Sequence, residues 1–286
     1  MNIDADWLAA HPLPRTGEDT DKNKRGRVLA AGGSESVPGA LRLTGEAALR
    51  AGAGKVQLAT VARAALPLGI AMPEAATFPL LANQDGELDA TAGPRLAGLA
   101  QHCDTLIFGP GMGAKADAAA ILQTVLAAAG PDQAILLDAG AIGDCTPIAA
   151  ALRAHAGPLV FTPHAGELAL LMGCDEADVT EDHARHAATR FNATVLLKRA
   201  QTWIAAPDGT MLHYPGGGPG LATGGSGDVL AGIIGGLLAR GADPQTAAGW
   251  GVWLHGEAGR RLAARLGPIG FLARELLPEI PALLPA

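Results

Sequence analysis

The sequence predicts an α/β fold with a central, mostly parallel sheet, helices on both faces and a helical C-terminal third. Three observations carry this expectation. Short apolar runs recur along the chain, and most are continuously apolar rather than alternating, as strands covered on both faces are. Helix-like segments lie between them in a βαβ rhythm. From Ser226 onward nearly the whole chain reads as helix.

Residues 1–26 are polar and proline-bearing, end in Asp21-Lys22-Asn23-Lys24-Arg25-Gly26, and read as an arm leading into the first strand. Residues 27–286 then form one domain, with no repeat or low-complexity linker to divide them. Strands are expected at 28–31, 55–60, 105–108, 134–138, 159–162, 194–198 and 202–206. Helices are expected at 39–51, 117–129, 147–155, 166–172 and 181–191, followed by 229–240, 244–266 and 272–277. Asp208-Gly209, between 202–206 and 211–214, is a hairpin signal, so one antiparallel edge pair is expected.

Composition limits the function classes. Hydrophobic residues make up 49% of the 286 and charged residues 17%, ample for a two-sided core. The formal net charge is −7 and the only basic block is Lys22-Asn23-Lys24-Arg25, which argues against a nucleic-acid or anionic-membrane surface and for a small-molecule substrate. Cys103, Cys145 and Cys174 are far apart, without zinc or disulfide spacing, and point to a reducing cytoplasm. No signal peptide is visible at the N-terminus, and the longest apolar stretch, 229–239, is too short and glycine-rich to span a bilayer.

In open α/β sheets ligands bind beyond the carboxyl ends of the strands. Gly32-Gly33-Ser34, Gly109-Pro110-Gly111-Met112-Gly113, Asp138-Ala139-Gly140, Thr162-Pro163-His164-Ala165-Gly166-Glu167 and Lys198-Arg199 all follow predicted strands and are expected along one sheet edge. The strongest signal is Gly216-Gly217-Gly218-Pro219-Gly220-Leu221-Ala222-Thr223-Gly224-Gly225-Ser226-Gly227-Asp228 ahead of an apolar helix. Consecutive glycine amides and a helix N-terminus together form an anion hole suited to a phosphoryl group. Asp228 in the first turn would repel a phosphate unless it has a task, such as taking the proton of an attacking hydroxyl. The plain alternative is that Ser226 or Asp228 merely caps the helix.

The other signals are more ambiguous. Gly109 to Ala114 satisfies GxGxxA, a dinucleotide-binding pattern, although Pro110 alters the tight turn. Gly52-Ala53-Gly54-Lys55 lacks the leading glycine and magnesium-binding hydroxyl of a P-loop and is rejected. His164 and Glu167 are placed to reach a ligand, or to be a structural histidine and an N-terminal helix acid. Asp138 is a candidate for magnesium through water, for a hydroxyl, or for a loop cap. Lys198 either neutralises nucleotide phosphates or reaches solvent.

Taken together, Arg25-Gly26-Arg27-Val28-Leu29, Gly32-Gly33-Ser34 with Pro38-Gly39-Ala40, Ala51-Gly52-Ala53-Gly54, Gly109 to Gly113, Thr162 to Glu167 and Gly220 to Gly232 resemble the ADP-dependent NAD(P)H-hydrate dehydratase family of the ribokinase-like superfamily. The resemblance covers roughly residues 22–260, including Leu254-His255-Gly256-Glu257-Ala258-Gly259. It implies a carbon-oxygen lyase that returns the S-form of hydrated NADH or NADPH to NADH or NADPH. The ring hydroxyl is phosphorylated from ADP, or ATP in eukaryotic members, with Mg2+ as cofactor, and phosphate is then eliminated.

By the same resemblance Asp228 is the base, and the amides of Gly225, Ser226 and Gly227 stabilise transferred charge. Ala40, Gly111, Gly113 and His164 hold the hydrate, and Lys198, Arg199, Ala200, Gln201, Thr202 and Gly227 hold the nucleotide. Asp138 and Glu167 are the metal candidates. A homo-oligomer, a tetramer by family analogy, is implied, and the epimerase of bifunctional members is expected to be absent. Two departures stand out: Arg199 replaces a family glycine, and Gly140 replaces an acidic residue two positions after Asp138.

Three rivals remain. A superfamily kinase acting on a vitamin precursor or sugar shares the glycine-aspartate turn but has no need of the Thr162 to Glu167 set. An NAD-dependent oxidoreductase would be built on Gly109 to Ala114. A catalytically dead nucleotide sensor has no need of Asp228.

Overall fold

A computed structural model of the chain describes residues 1–15, 17 and 19–285. After helix α1 (Ala5–Ala10), strand β1 (Arg27–Ala31) leads through α2 (Ala40–Arg50), β2 (Lys55–Val61) and α3 (Ala62–Ala71) to β3 (Ala76–Leu80). The chain then crosses by α4 (Gly93–Ala100) to β4 (Thr105–Phe108), α5 (Ala118–Ala128) and β5 (Ala134–Leu137). Short helices α6 (Gly140–Gly143) and α7 (Ala149–Ala154) precede β6 (Leu159–Phe161), α8 (Ala165–Met172), α9 (Glu181–Phe191) and β7 (Thr194–Leu197). Strands β8 (Thr202–Ala205) and β9 (Met211–Tyr214) finish the sheet, and α10 (Ser226–Ala239), α11 (Pro244–Leu266) and α12 (Ala273–Leu276) finish the fold.

The nine strands lie in the order β3-β2-β1-β4-β5-β6-β7-β8-β9. All pairings from β3 to β7 are parallel, with Val28 opposite Val56 on one side and Thr105 on the other. Alternate residues feed opposite cores: Val28 and Ala30 pack beneath α2, α10 and α11, while Leu29 and Ala31 pack beneath α4, α5 and the helices that follow. This explains the continuously apolar strands. Both β7–β8 and β8–β9 are antiparallel, one pairing more than the single hairpin expected. A tight return through Arg199 to Gln201 makes the second reversal, and it carries no glycine or proline to announce it.

Helix α3, strand β3 and helix α4 are absent from the sequence expectation. Pro67 lies inside α3 and Pro79 inside β3, which masks both, and β3 survives because an edge strand tolerates a missing donor. The N-terminal residues, expected as an arm, carry α1 and bury Ile3, Trp7, Leu8 and Leu13. The Ile3 amide donates to the His213 carbonyl and the His213 amide donates to the Met1 carbonyl, both at 2.8 Å, so this segment pairs along β9. The Trp7 ring fills the space left open at Gly249 of α11 and stacks on His11 at 4.3 Å.

α10 is the buried central helix of its layer. A Cβ at Gly232 would run into the Thr44 carbonyl, and one at Gly236 would lie 2.7 Å from the Ala48 carbonyl, so glycines let α10 press onto α2. That packing aims the N-terminus of α10 at the carboxyl edge of the sheet.

Trp7→Ala is expected to cost about 3–5 kcal/mol, as loss of a buried aromatic ring does. Urea unfolding of the two proteins measures it, and a loss under ~1 kcal/mol would show that the N-terminal segment contributes little.

Candidate active site

Order reverses at β1 and β4, so the sheet opens a crevice between their carboxyl ends. The Gly33 amide donates to the Pro110 carbonyl at 2.7 Å and binds the two glycine turns across it. A Cβ at Gly111 would lie 2.7 Å from that of Ala40, so these two predicted substrate positions are neighbours at the start of α2. Gly113 faces elsewhere: its amide donates to buried Glu87 Oε2 at 3.0 Å. α5 begins only at Ala118, so Gly109 to Ala114 does not open a helix and the dinucleotide-turn reading loses its structural requirement.

Next along the edge, Asp138 leaves β5 almost fully buried, at 2% exposure, and accepts two bonds on Oδ1. Thr162 Oγ1 donates at 2.7 Å and Lys198 Nζ at 2.8 Å. Lys198 stands 3.9 Å from Glu167 Oε2. The pair joins the ends of β5 and β7, while the Lys198 amide donates to the Pro163 carbonyl at 2.8 Å. Burial alone would lower the Lys198 pKa, but Asp138 and Glu167 hold it above its ordinary value. Glu167 is pushed up by burial and by Asp138, against the pull of Lys198. Backbone strain accompanies the site: Ala139 adopts φ 49° and ψ −133°, a left-handed conformation that a non-glycine residue rarely keeps.

His164 caps α8, its Nδ1 accepting from the Glu167 amide at 3.3 Å and its amide donating to Glu167 Oε2 at 2.8 Å. The capping bonds leave the ring half exposed at the mouth of a groove of about 620 Å³. That groove runs between α6 and α8 and is lined by Ala139, Gly140, Asp144, His164, Gly166 and Glu167.

At the head of α10, Gly225 takes φ 88°, which turns the chain into the helix. The amides of Gly227 and Asp228 have no backbone acceptor among the described residues, as expected for a first helical turn. A Cβ at Gly227 would lie 3.5 Å from Lys198 Nζ, so the cation and the open amides face one small space. Asp228 follows Gly227 in the same turn, and its pKa is pushed up to about 7 by burial and by Asp138, with Lys198 pulling the other way.

Ser226 differs from expectation. Its amide donates to the Thr223 carbonyl at 3.2 Å, and its hydroxyl is turned inward, 2.9 Å from His255 Nε2. Of the expected nucleotide positions, Lys198 and Gly227 meet. Arg199, Ala200 and Gln201 form the exposed return ahead of β8, where Gln201 Oε1 contacts His213 Nε2 at 3.0 Å, and Thr202 opens β8 itself. Thr162, Glu87 and His255 join the site without being expected there. Thr162 and His255 stood inside motifs, whereas nothing in the sequence marks Glu87.

A family model, Carb_kinase, described as NAD(P)H-hydrate dehydratase, matches residues 28–282. The chain is 47% identical to the ADP-dependent (S)-NAD(P)H-hydrate dehydratase of Xanthomonas campestris pv. campestris, over 99% of this chain and 95% of that protein. It is 35% identical to the bifunctional NAD(P)H-hydrate repair enzyme Nnr of Escherichia coli, covering 95% of this chain but only 50% of the bifunctional protein. The ADP/ATP-dependent NAD(P)H-hydrate dehydratase of Bacillus subtilis, co-crystallised with ATP/Mg2+, superposes with a TM-score of 0.82 at 30% identity, covering 97% of this chain and 95% of that one. Hydroxyethylthiazole kinase of Pyrococcus horikoshii shares the ribokinase-like fold, at a TM-score of 0.60 and 16% identity over 92% of this chain and 91% of that one. The match along nearly the whole chain shows that the chain belongs to the NAD(P)H-hydrate dehydratase family.

Proposed function

We propose that this chain is an ADP-dependent (S)-NAD(P)H-hydrate dehydratase whose two steps share the space between Asp228, Lys198 and the first turn of α10. The observation that carries the assignment of roles is the approach of the half-buried Lys198 ammonium to Gly227, where the amides of Gly227 and Asp228 have no backbone acceptor among the described residues.

Ionised Asp228 takes the proton of the ring hydroxyl as that oxygen bonds to the terminal phosphorus of ADP. The bond from phosphorus to the bridging oxygen breaks and AMP leaves. The amides of Gly227 and Asp228, with Lys198, stabilise the charge that gathers on the phosphoryl oxygens. The ring nitrogen then supplies the electron pair that expels phosphate from carbon, and the proton on the neighbouring ring carbon passes to the departing phosphate. NADH or NADPH is restored without net oxidation. Ala40 and Gly111 hold the hydrate from the α2 side and His164 from the α8 side. Gly113 contributes through the Glu87 contact that shapes its turn.

A magnesium ion on the nucleotide phosphates would spread their charge, and Asp138 and Glu167 are the residues that would help hold it. Among the described residues no group of three His, Cys, Asp or Glu side chains stands ready to hold a metal. Asp138 and Glu167, both beside Lys198, fit an ion shared with phosphates and water rather than an all-protein cage. A cytoplasmic setting is supported by the free thiols of Cys103, Cys145 and Cys174. Self-association is supported by exposed Leu66, Ile70 and Leu81 beside the β3 edge, while a tetramer rests on the family resemblance alone. Among the described residues no helix is long and apolar enough to cross a membrane.

The decisive assay mixes the protein with hydrated NADH, Mg2+ and ADP or ATP, and follows NADH absorbance together with phosphate release. Recovery with stoichiometric phosphate is expected, with ADP preferred. A stable phosphorylated product would favour a plain kinase, and no recovery with either donor would remove the dehydratase reading.

Asp228→Asn is expected to lose turnover by roughly 10²–10⁴-fold, the usual worth of a general base, while still binding nucleotide. Its stability moves the other way. A carboxyl raised to about 7 in the fold favours the protonated state, so its contribution is full below the ordinary Asp range and is lost as pH rises through about 7. Without ligand, the variant should therefore be more stable than wild type by roughly 2–4 kcal/mol at pH 8 and equal to it near pH 3. Urea titrations at the two pH values check this.

The same ionisation sets the rate profile, with kcat/KM rising with pH through about 7 and then levelling. Asp138→Asn removes a negative charge that raises Asp228, and frees Lys198 to lower it. Its acid limb should therefore shift to lower pH, and a limb that stays in place would separate the two carboxylates.

A further inference from the structure

The inward turn of Ser226 has a counterpart in α11. His255 lies in the middle of that helix, 8% exposed, with Nε2 at 2.9 Å from Ser226 Oγ. Burial lowers its pKa to about 4, so the ring is uncharged at neutral pH and acts through its hydrogen bond rather than through charge. The same turn of α11 seats the other side of the anion loop. A Cβ at Gly217 would lie 2.5 Å from Gly256 Cα, and one at Gly259 would lie 2.8 Å from Leu221 Cδ2. Residues 254–259 thus hold both limbs of the loop that runs from Gly216 to Asp228.

Stabilising a developing oxyanion depends on donors held in place before the reaction. Ser226 is the first residue of α10, and the open amides of Gly227 and Asp228 follow it directly. Rotation of Ser226 about the helix start would swing those amides and the Asp228 carboxylate together. We infer that His255 is a positioning residue for phosphoryl transfer, acting through its hydrogen bond to Ser226 to hold the first turn of α10 against the reacting phosphoryl group. This rests on the assignment of that turn as the phosphoryl site.

The test uses the full chain with ADP and hydrated NADH, comparing Ser226→Ala, His255→Phe, the double variant and His255→Gln, which keeps a nitrogen near the position of Nε2. Each single loss of the bond should lower kcat by about 10–100-fold, the usual cost of a misplaced catalytic group, with KM for ADP changed by less than about 3-fold. The double variant should be no slower than the slower single one, because one bond cannot be lost twice. His255→Gln should recover most of kcat. If His255→Phe does not fold, Ser226→Ala carries the test alone, since it removes only a hydroxyl. Wild-type kcat in Ser226→Ala, additive losses in the double variant, or a change confined to KM or to melting temperature would overturn the inference. Asp228→Asn run in parallel separates the two levels. If it is inactive while Ser226→Ala is fully active, only the coupling fails; if it turns over normally, the site assignment itself fails.

Discussion

The 2.8 Å ion pair between Lys198 and Asp138 is the contact around which the rest of the site is arranged. It spans the carboxyl ends of β5 and β7, two strands separated by β6, and is closed from the β6 side by the Thr162 hydroxyl. Neither ion would tolerate such burial alone, because desolvation penalises each unless the other is in place. Glu167 Oε2 stands 3.9 Å from the same ammonium, and the charge of Asp228 adds to those of Asp138 and Glu167 in holding the Lys198 pKa up. With the closest bond held by Asp138, the Asp228 carboxyl is pushed up to about 7 by burial and by the Asp138 charge.

Packing delivers the remaining parts. α10 reaches the edge only because Gly232 and Gly236 let it lie against α2, and the turn into it requires the left-handed backbone of Gly225. On the opposite side, the Asp138-Ala139 backbone lies against Gly109, where a side chain would collide with the Asp138 carbonyl. The strain at Ala139 is kept where the acid must be held. Glycine is abundant along this edge because backbones, rather than side chains, form its walls.

Much of this was legible in the chain. The buried strands from β1 to β8, except β3, are visible as apolar runs, and the glycine-aspartate turn marks the α10 terminus. Strand ends identified Asp138, His164, Glu167 and Lys198 because parallel topology gathers such ends on one edge. What stayed hidden has physical reasons. Pro67 and Pro79 conceal α3 and β3 by breaking the local pattern that betrays an element. Glu87 reaches Gly113 across 26 positions from a loop with no motif, and the inward rotamer of Ser226 is set by His255, 29 positions away. Which of several glycine-rich amides remain open is likewise a property of the folded turn, since Ser226 and Gly227 are adjacent yet only one bonds within the loop.

The pairing of residues 1–3 with β9 also constrains the order of events during synthesis. His213 lies more than two hundred positions from its partners at Met1 and Ile3, and Gly249, which receives the Trp7 ring, lies farther still. Residues 1–13 therefore have no docking surface until β9 and much of α11 have been made. Contacts of such long sequence separation are slow to close and leave apolar side chains uncovered meanwhile. For this chain the interval falls on Ile3, Trp7 and Leu8, which stay uncovered until β9 and α11 are in place.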